Sequence, residues 1–254
     1  MGAPVDGGRV VGRVAGLWRY PVKSMAPERL EHVGVSWHGL AGDRRWAFLD
    51  ERRVGSGFPW LTLRQRPDLA RYRPSLRTPD RPDRSPVVVA TPGGDVLDVT
   101  DPALADELGG NVRAVKQDRG TFDTMPLSLI TTPTVAALAA LVGRDLGIER
   151  FRPNVLVETV DDLAFPEDDW VGDVLSVGGD GMRLRVDARD TRCVVVNIDP
   201  TTTERDRKIL RTIAAERGAR LGVYGSTVRP GAIAVGDPVV VTTHEGRGVR
   251  SRVG

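Results

Sequence analysis

Apolar and polar positions alternate in short runs along most of this chain, a pattern that predicts strands more often than helices. Val10 to Trp18 is rich in β-branched and aromatic residues and predicts a first strand. It ends at Tyr20-Pro21-Val22-Lys23-Ser24, where Pro21 fixes φ and imposes a turn. Leu30 to Trp37 alternates and predicts a second strand. Gly39-Leu40-Ala41-Gly42 breaks the pattern, and Asp43 to Asp50 predicts a third strand entered through a charged corner. The Pro- and Arg-rich stretch from Arg71 to Pro86 predicts a solvated loop with its tip at Thr78 to Arg84. Val87 to Ala90 and Val96 to Val99 flank Pro92-Gly93-Gly94 and predict a hairpin. Strands are also expected at Val112 to Val115, Leu127 to Ile130, Val155 to Val160, Met182 to Val186 and Val239 to Val241, and Cys193 opens another in Val194 to Ile198.

Helical signals are few. Asp101-Pro102 places an N-cap before a proline at the first helical position, and Gly109 closes that short helix. Thr131 or Thr132 caps a helix from about Pro133 to Val142. Thr203 to Asp206 fits a capping box before an apolar face of Ile209, Leu210, Ile213 and Ala214, with Gly218 as the stop. No glycine-rich loop joins a strand to a helix, so a Rossmann or P-loop nucleotide site is excluded. The pattern predicts a mostly β (α+β) chain, barrel-like, with short helices. The polar segment Lys116 to Phe122 marks the expected seam between a first domain over residues 9–117 and a second over 118–243, with a tail at 244–254.

Composition narrows the function. At 254 residues, 28% charged and 40% hydrophobic, the chain has ample material for a core. A net charge of +2 is too small to argue for nucleic acid or a membrane surface. No apolar run approaches the roughly 18 residues of a membrane span, and the first residues lack a signal-peptide core. Cytoplasm is the expected compartment. The basic residues are three lysines (Lys23, Lys116 and Lys208) against 33 arginines. Any chemistry that needs a lysine amine therefore has three candidates.

Cys193 is the only cysteine, so no disulfide closes within the chain. It follows Thr191 and Arg192, and a cation beside a thiol favours the thiolate, a nucleophile or a soft-metal ligand. A lone cysteine beside valines is also a packing residue. Asp43 beside Arg44 reads as a local ion pair, and Glu167-Asp168-Asp169 as an acidic loop. His32, His38 and His244 have no metal-ligand spacing.

Tyr20 to Ser24, followed by Gly42-Asp43-Arg44-Arg45-Trp46, resembles the N-terminal β-barrel domain that accompanies MOSC domains. Arg150-Phe151-Arg152-Pro153-Asn154, Trp170-Val171-Gly172, Arg192-Cys193 and Val235-Gly236-Asp237 resemble the MOSC domain itself, which takes its name from the C-terminal domain of molybdenum cofactor sulfurase. The motifs keep their order over about residues 9–243, and the branch they are most similar to is that of the mitochondrial amidoxime-reducing component and its bacterial relatives. The resemblance implies a barrel-like MOSC core packed against an N-terminal β-barrel domain. It also implies a bound molybdenum cofactor, a pyranopterin whose phosphate needs cations. By that carry-over Cys193 is the thiolate ligand to molybdenum and the catalytic residue. Lys23, Ser24, Arg44, Thr124, Arg152, Asn154, Thr191 and Arg192 hold the cofactor. Met125 stands where relatives often carry a small hydroxyl residue.

The activity so implied is an oxidoreductase that removes oxygen from small N-hydroxylated substrates. One cysteine cannot hold a [2Fe–2S] cluster, so electrons are expected from a separate iron–sulfur or flavin donor. Two alternatives stand beside it. Cys193 can carry a persulfide as a sulfur-carrier module in cofactor maturation. Pyridoxal phosphate binding would require Lys23, Lys116 or Lys208 as Schiff-base lysine.

Overall fold

The computed structural model describes residues 8–179 and 181–242. Strands β1 (Arg9–Arg19), β2 (Glu28–Leu30), β3 (His32–Ser36), β4 (Gly39–Leu40) and β5 (Trp46–Asp50) come first. They are followed by β6 (Arg73–Leu76), β7 (Val87–Ala90), β8 (Val96–Asp98), helix α1 (Pro102–Glu107) and β9 (Val112–Lys116). The second half runs β10 (Leu127–Thr131), α2 (Thr132–Val142), β11 (Val155–Thr159), β12 (Val174–Val177) and β13 (Met182–Thr191). It ends with α3 (Arg207–Arg217), β14 (Arg220–Arg229), β15 (Gly231–Ala234) and β16 (Pro238–Thr242).

Seven strands close into a barrel in the order β1-β11-β10-β14-β13-β12-β16 and back to β1. Within it only β10 and β11 run parallel, and α2 is the crossover that parallel neighbours require. The first strand therefore completes a barrel otherwise built from residues after 126. Its inward side chains Val11, Val14 and Leu17 pack with Leu127, Val155, Leu184 and Val239. The long β1 also pairs β16 near its start and β2 near its end. The fold is mostly strand with three α-helices, the class the alternating pattern predicts.

Outside the large sheet the other first-half strands form three short sheets, β5-β9, β6-β7-β8 and β15-β3-β4, in the last of which β15 of the second half joins β3. Much of the first half surrounds a core of Phe48, Leu61, Leu63, Leu69, Tyr72, Val89 and Leu104. A third cluster joins α2 and α3 through Leu138, Val142, Ile209 and Ile213 to Phe151 and Val196. The predicted caps hold for two helices. The Asp101 side chain accepts from the Ala103 N–H and that of Thr131 from the Thr134 N–H.

Several elements depart from the pattern. Val194–Asn197 is a 3-10 turn, not a strand. Its three valines go to three places: Val194 is exposed, Val195 packs on the first-half core and Val196 enters the helical cluster. No strand offers three such directions, so packing overrides β propensity. The cap of α3 is Asp206, which accepts from the Lys208 N–H, and not Thr203. Asp43 and Arg44 lie in a turn ahead of β5, with Arg44 in the left-handed region. The expected loop at Arg71 to Pro86 contains β6, and Leu30 to Trp37 is divided between the end of β2 and β3. β12, β14 and β15 had no distinct pattern. The Glu167 to Asp169 stretch, expected as an acidic loop, lies in a 3-10 turn and serves as a structural joint. Buried Glu167 accepts from the hydroxyls of Thr131 and Thr134, and Asp168 pairs with Arg217 and Arg189. His244 lies outside the described residues.

Candidate functional site

A cleft of about 380 Å³ lies where the turn after β1, the loops around β5, and the ends of β10, β13 and β14 meet. It falls within the size range of small-molecule sites, roughly 300–1,000 Å³. Lys23, Ser24, Arg44, Thr124, Arg152, Asn154, Thr191, Arg192 and Cys193 all line it. Residues from 23 to 193 are thus brought into one place.

The backbone there is unusual. Ser24, Arg44 and Arg152 have φ of 69°, 50° and 52°, three of the six non-glycine residues in the left-handed region among the described residues. Such conformations cost about 1–3 kcal/mol each and persist where surrounding contacts over-determine them. The contacts are visible. Arg44 N donates to Tyr20 O at 2.6 Å and Lys23 N to Trp46 O at 2.8 Å, folding the two turns against each other. The Tyr20 ring meets two guanidiniums, with Arg44 Cζ 4.5 Å and Arg152 Cζ 4.3 Å from its centre.

Asn154 is buried and committed to the protein. Its Nδ2 donates to Trp18 O at 3.1 Å, and its Oδ1 accepts from Ser128 N at 3.2 Å and from Arg44 Nη1 at 3.3 Å. It ties β1 to β10 and aims Arg44, which makes it a positioning residue. Arg192 is also a clamp: Nε donates to Leu221 O and Nη1 to Phe151 O, both at 2.7 Å, and Nη1 meets buried Asp190 at 3.0 Å. Gly222 admits it. With φ of 72°, a Cβ at that position would stand 3.1 Å from Arg192 Nη2 and 2.8 Å from Leu129 O.

Cys193 follows at the start of the 3-10 turn, half-buried, and its Sγ accepts a hydrogen bond from Arg64 Nη2 at 3.4 Å. The turn is pinned on both sides. Ile198 belongs to the first-half core and Val196 to the helical cluster. Buried Arg150 donates to Val196 O at 3.2 Å and pairs with Asp199 at 2.7 Å. Thr124 and Thr191 are exposed members of the lining.

Six cations face two carboxylates, Asp123 and Asp190, in the lining. Arg44 pairs with Asp43, the local ion pair its neighbour predicts; Arg150 pairs with Asp199, and Arg192 with Asp190. Lys23 and Arg64 share Asp123. Among the described residues Arg152 has no carboxylate partner. Burial pushes its guanidinium down to about 10, against the opposing pull of Tyr20. The Nη2 atoms of Arg152 and Arg192 are buried without a hydrogen-bond partner. Burial also lowers Lys23, with Asp123 opposing, and raises Asp190, with Arg192 opposing. A lining that combines guanidiniums with a thiol has the donor chemistry for an anion and for a soft metal or an electrophile.

Sequence reasoning passed over Tyr20, Arg64, Asp123, Asp190 and Tyr224. Tyr20 opens the stretch Tyr20 to Ser24, and Asp123 adjoins Thr124. Arg64, one of 33 arginines, carried no signal of its own.

A barrel with a cationic, thiol-bearing cleft defines the class, and comparison with known proteins gives the family. The model of the MOSC N-terminal β-barrel domain matches residues 11–125, and that of the MOSC domain matches residues 116–240. The chain belongs with the proteins that join these two domains. It is similar to the molybdenum cofactor sulfurase of Anopheles gambiae, 29% identical over 84% of this chain and 34% of that protein. It is also similar to the mitochondrial amidoxime reducing component 2 of Macaca fascicularis, 31% identical over 46% of this chain and 37% of that protein. The matched part is thus little more than a third of each of these curated relatives. Among solved structures, the YUAD protein from Bacillus subtilis superposes with a TM-score of 0.53 at 13% identity, covering 94% of this chain and all of that one, a likeness of fold.

Proposed function

We propose that this protein binds a molybdenum cofactor in the cleft and acts as an oxidoreductase on N-hydroxylated substrates. The observation that carries this reading is that Arg152 and Arg192, each with a buried Nη2 lacking a hydrogen-bond partner, line the same cleft as Cys193. The donor set fits such a group. Forked guanidiniums suit a phosphate, and a thiolate suits a soft metal. When bound, the cofactor would supply two-electron chemistry at molybdenum, the kind that takes oxygen from an N–O bond.

The chain's own residues have separable tasks. Arg152, which has no carboxylate partner among the described residues, would take the phosphate oxygens, while Arg192, clamped by Asp190, and Arg44, held by Asn154 and Asp43, shape the wall beside it. Cys193 would give the metal its protein sulfur, and Arg64 fixes the direction of that sulfur through its hydrogen bond. Lys23 is engaged by Asp123 and Thr121 O in this state. Neither a cluster of four cysteines nor any group of three His, Cys, Asp or Glu side chains suited to a metal is found among the described residues. A separate electron donor belongs to the proposal.

The test is turnover of an aryl amidoxime by protein made in a cofactor-producing host, with a chemical reductant as donor. Wild type is expected to form the amidine, and Cys193→Ser to lose turnover with its melting transition unchanged. Full activity in that variant would sink the role of the thiol. A labile persulfide on Cys193 by mass spectrometry, without molybdenum, would replace this reading with sulfur transfer.

A further inference from the structure

Of the two carboxylates in the cleft, Asp190 is sealed, whereas the Asp123 side chain keeps 44% of its surface exposed. Asp123 stands on the stretch between β9 and β10, which has neither helix nor strand. One of its oxygens meets Lys23 Nζ and the other lies 3.5 Å from Arg64 Nη2. Both cations have further partners in the cleft. Lys23 is enclosed, donates also to Thr121 O at 3.1 Å and lies 5.4 Å from the Phe58 ring centre. Arg64 is tied to Cys193 Sγ and lies 5.6 Å from the same ring. An anion arriving in the cleft therefore meets two cations already neutralised from within, in a lining that also holds Arg152, which has no carboxylate partner among the described residues.

We propose that Asp123 is a specificity-determining residue, an internal carboxylate that occupies Lys23 and Arg64 until a multiply charged anionic group displaces it. The proposal rests on the cofactor reading and deepens it, since it selects the charge of the ligand group the cleft accepts. A monoanion gains too little from the cation pair to expel a tethered carboxylate. A phosphate dianion gains about twice the Coulomb attraction and displaces it. Displacement is easy on the protein side, because an exposed aspartate that leaves its partners is rehydrated at once.

The test needs no loaded enzyme. Inorganic phosphate and, separately, nitrate are titrated by calorimetry at about pH 8, where phosphate is chiefly a dianion, into the full chain made in a host without the cofactor. Wild type, Asp123→Asn and Asp123→Ser are compared, with thermal melts to show that each is folded. Both variants are expected to bind phosphate about tenfold more tightly than wild type, a typical coupling between two sites that share partners. Nitrate binding, absent in wild type, is expected to become measurable. Equal phosphate affinity in all three overturns the role of Asp123 and leaves the anion site standing. Weaker binding in the variants also overturns it, by showing that Asp123 holds the two cations in place. No phosphate binding by any of the three overturns both this proposal and the anion site on which it rests.

Discussion

Arg192→Leu is expected to destabilise the protein by about 3–5 kcal/mol at neutral pH, the usual cost of removing one partner from a buried ion pair. Arg192 is more than a counter-ion. It closes the carbonyls of Phe151 and Leu221 onto the strand that precedes Cys193. Its loss leaves Asp190 buried with only the Ser128 hydroxyl at 3.2 Å and Tyr224 as partners. The pH dependence has a definite sign. Burial already raises the Asp190 carboxyl and Arg192 opposes that rise, so the variant raises it further. A carboxyl whose folded value lies above its unfolded value takes up a proton on folding. Its contribution is then fully present below the unfolded value and is lost as pH rises through the folded one. The gap in urea midpoint between variant and wild type should therefore narrow toward acid and widen toward neutrality. A gap that stays constant across that range would mean that Asp190 is not the group left behind.

Arg152→Met should behave in the opposite way, with a smaller effect on stability and a large one on binding. Arg152 has no carboxylate to orphan; its protein contacts are the Met25 carbonyl at 2.9 Å and the Tyr20 ring. The variant is expected to lose no more than about 1–3 kcal/mol, the cost of the hydrogen bond to the Met25 carbonyl. Phosphate binding by the cofactor-free chain should fall by about 2–3 kcal/mol, or some 30- to 150-fold, the worth of a charged hydrogen-bonding partner. Arg152→Lys should recover only part of the loss, because an ammonium cannot make the two parallel bonds of a guanidinium. Unchanged phosphate affinity in Arg152→Met would remove the anion from this wall of the cleft.

The contrast between these two arginines marks how far the sequence was legible. Alternation and capping residues located most strands and all three helices, because backbone pairing and helix ends obey local rules. Strand β14, with Gly222 and Gly225 inside it, is held by its neighbours β10 and β13 rather than by its own pattern. Val194–Asn197 reads as a strand and folds as a turn for the same reason: its valines answer to separate cores.

At the site, the motifs around Lys23, Arg44, Arg152 and Arg192 named the residues but not their partners. Whether an arginine is a clamp or an open donor depends on a carboxylate or carbonyl far away in sequence. Asp190 turns Arg192 into a clamp, and the absence of such a partner leaves Arg152 open. Asn154 looks equally suited to ligand or protein, and only the positions of Trp18, Ser128 and Arg44 make it a positioning residue. Asp123 is the clearest case of what local sequence omits. Its significance lies in Lys23 and Arg64, which precede it by 100 and 59 residues.

The most direct test of the central claim is the molybdenum content, by plasma mass spectrometry, of wild type and Cys193→Ala purified side by side from a host that makes the cofactor. Near-stoichiometric metal in wild type and its loss in the variant is the predicted result. Wild type purified from that host without molybdenum would contradict the account.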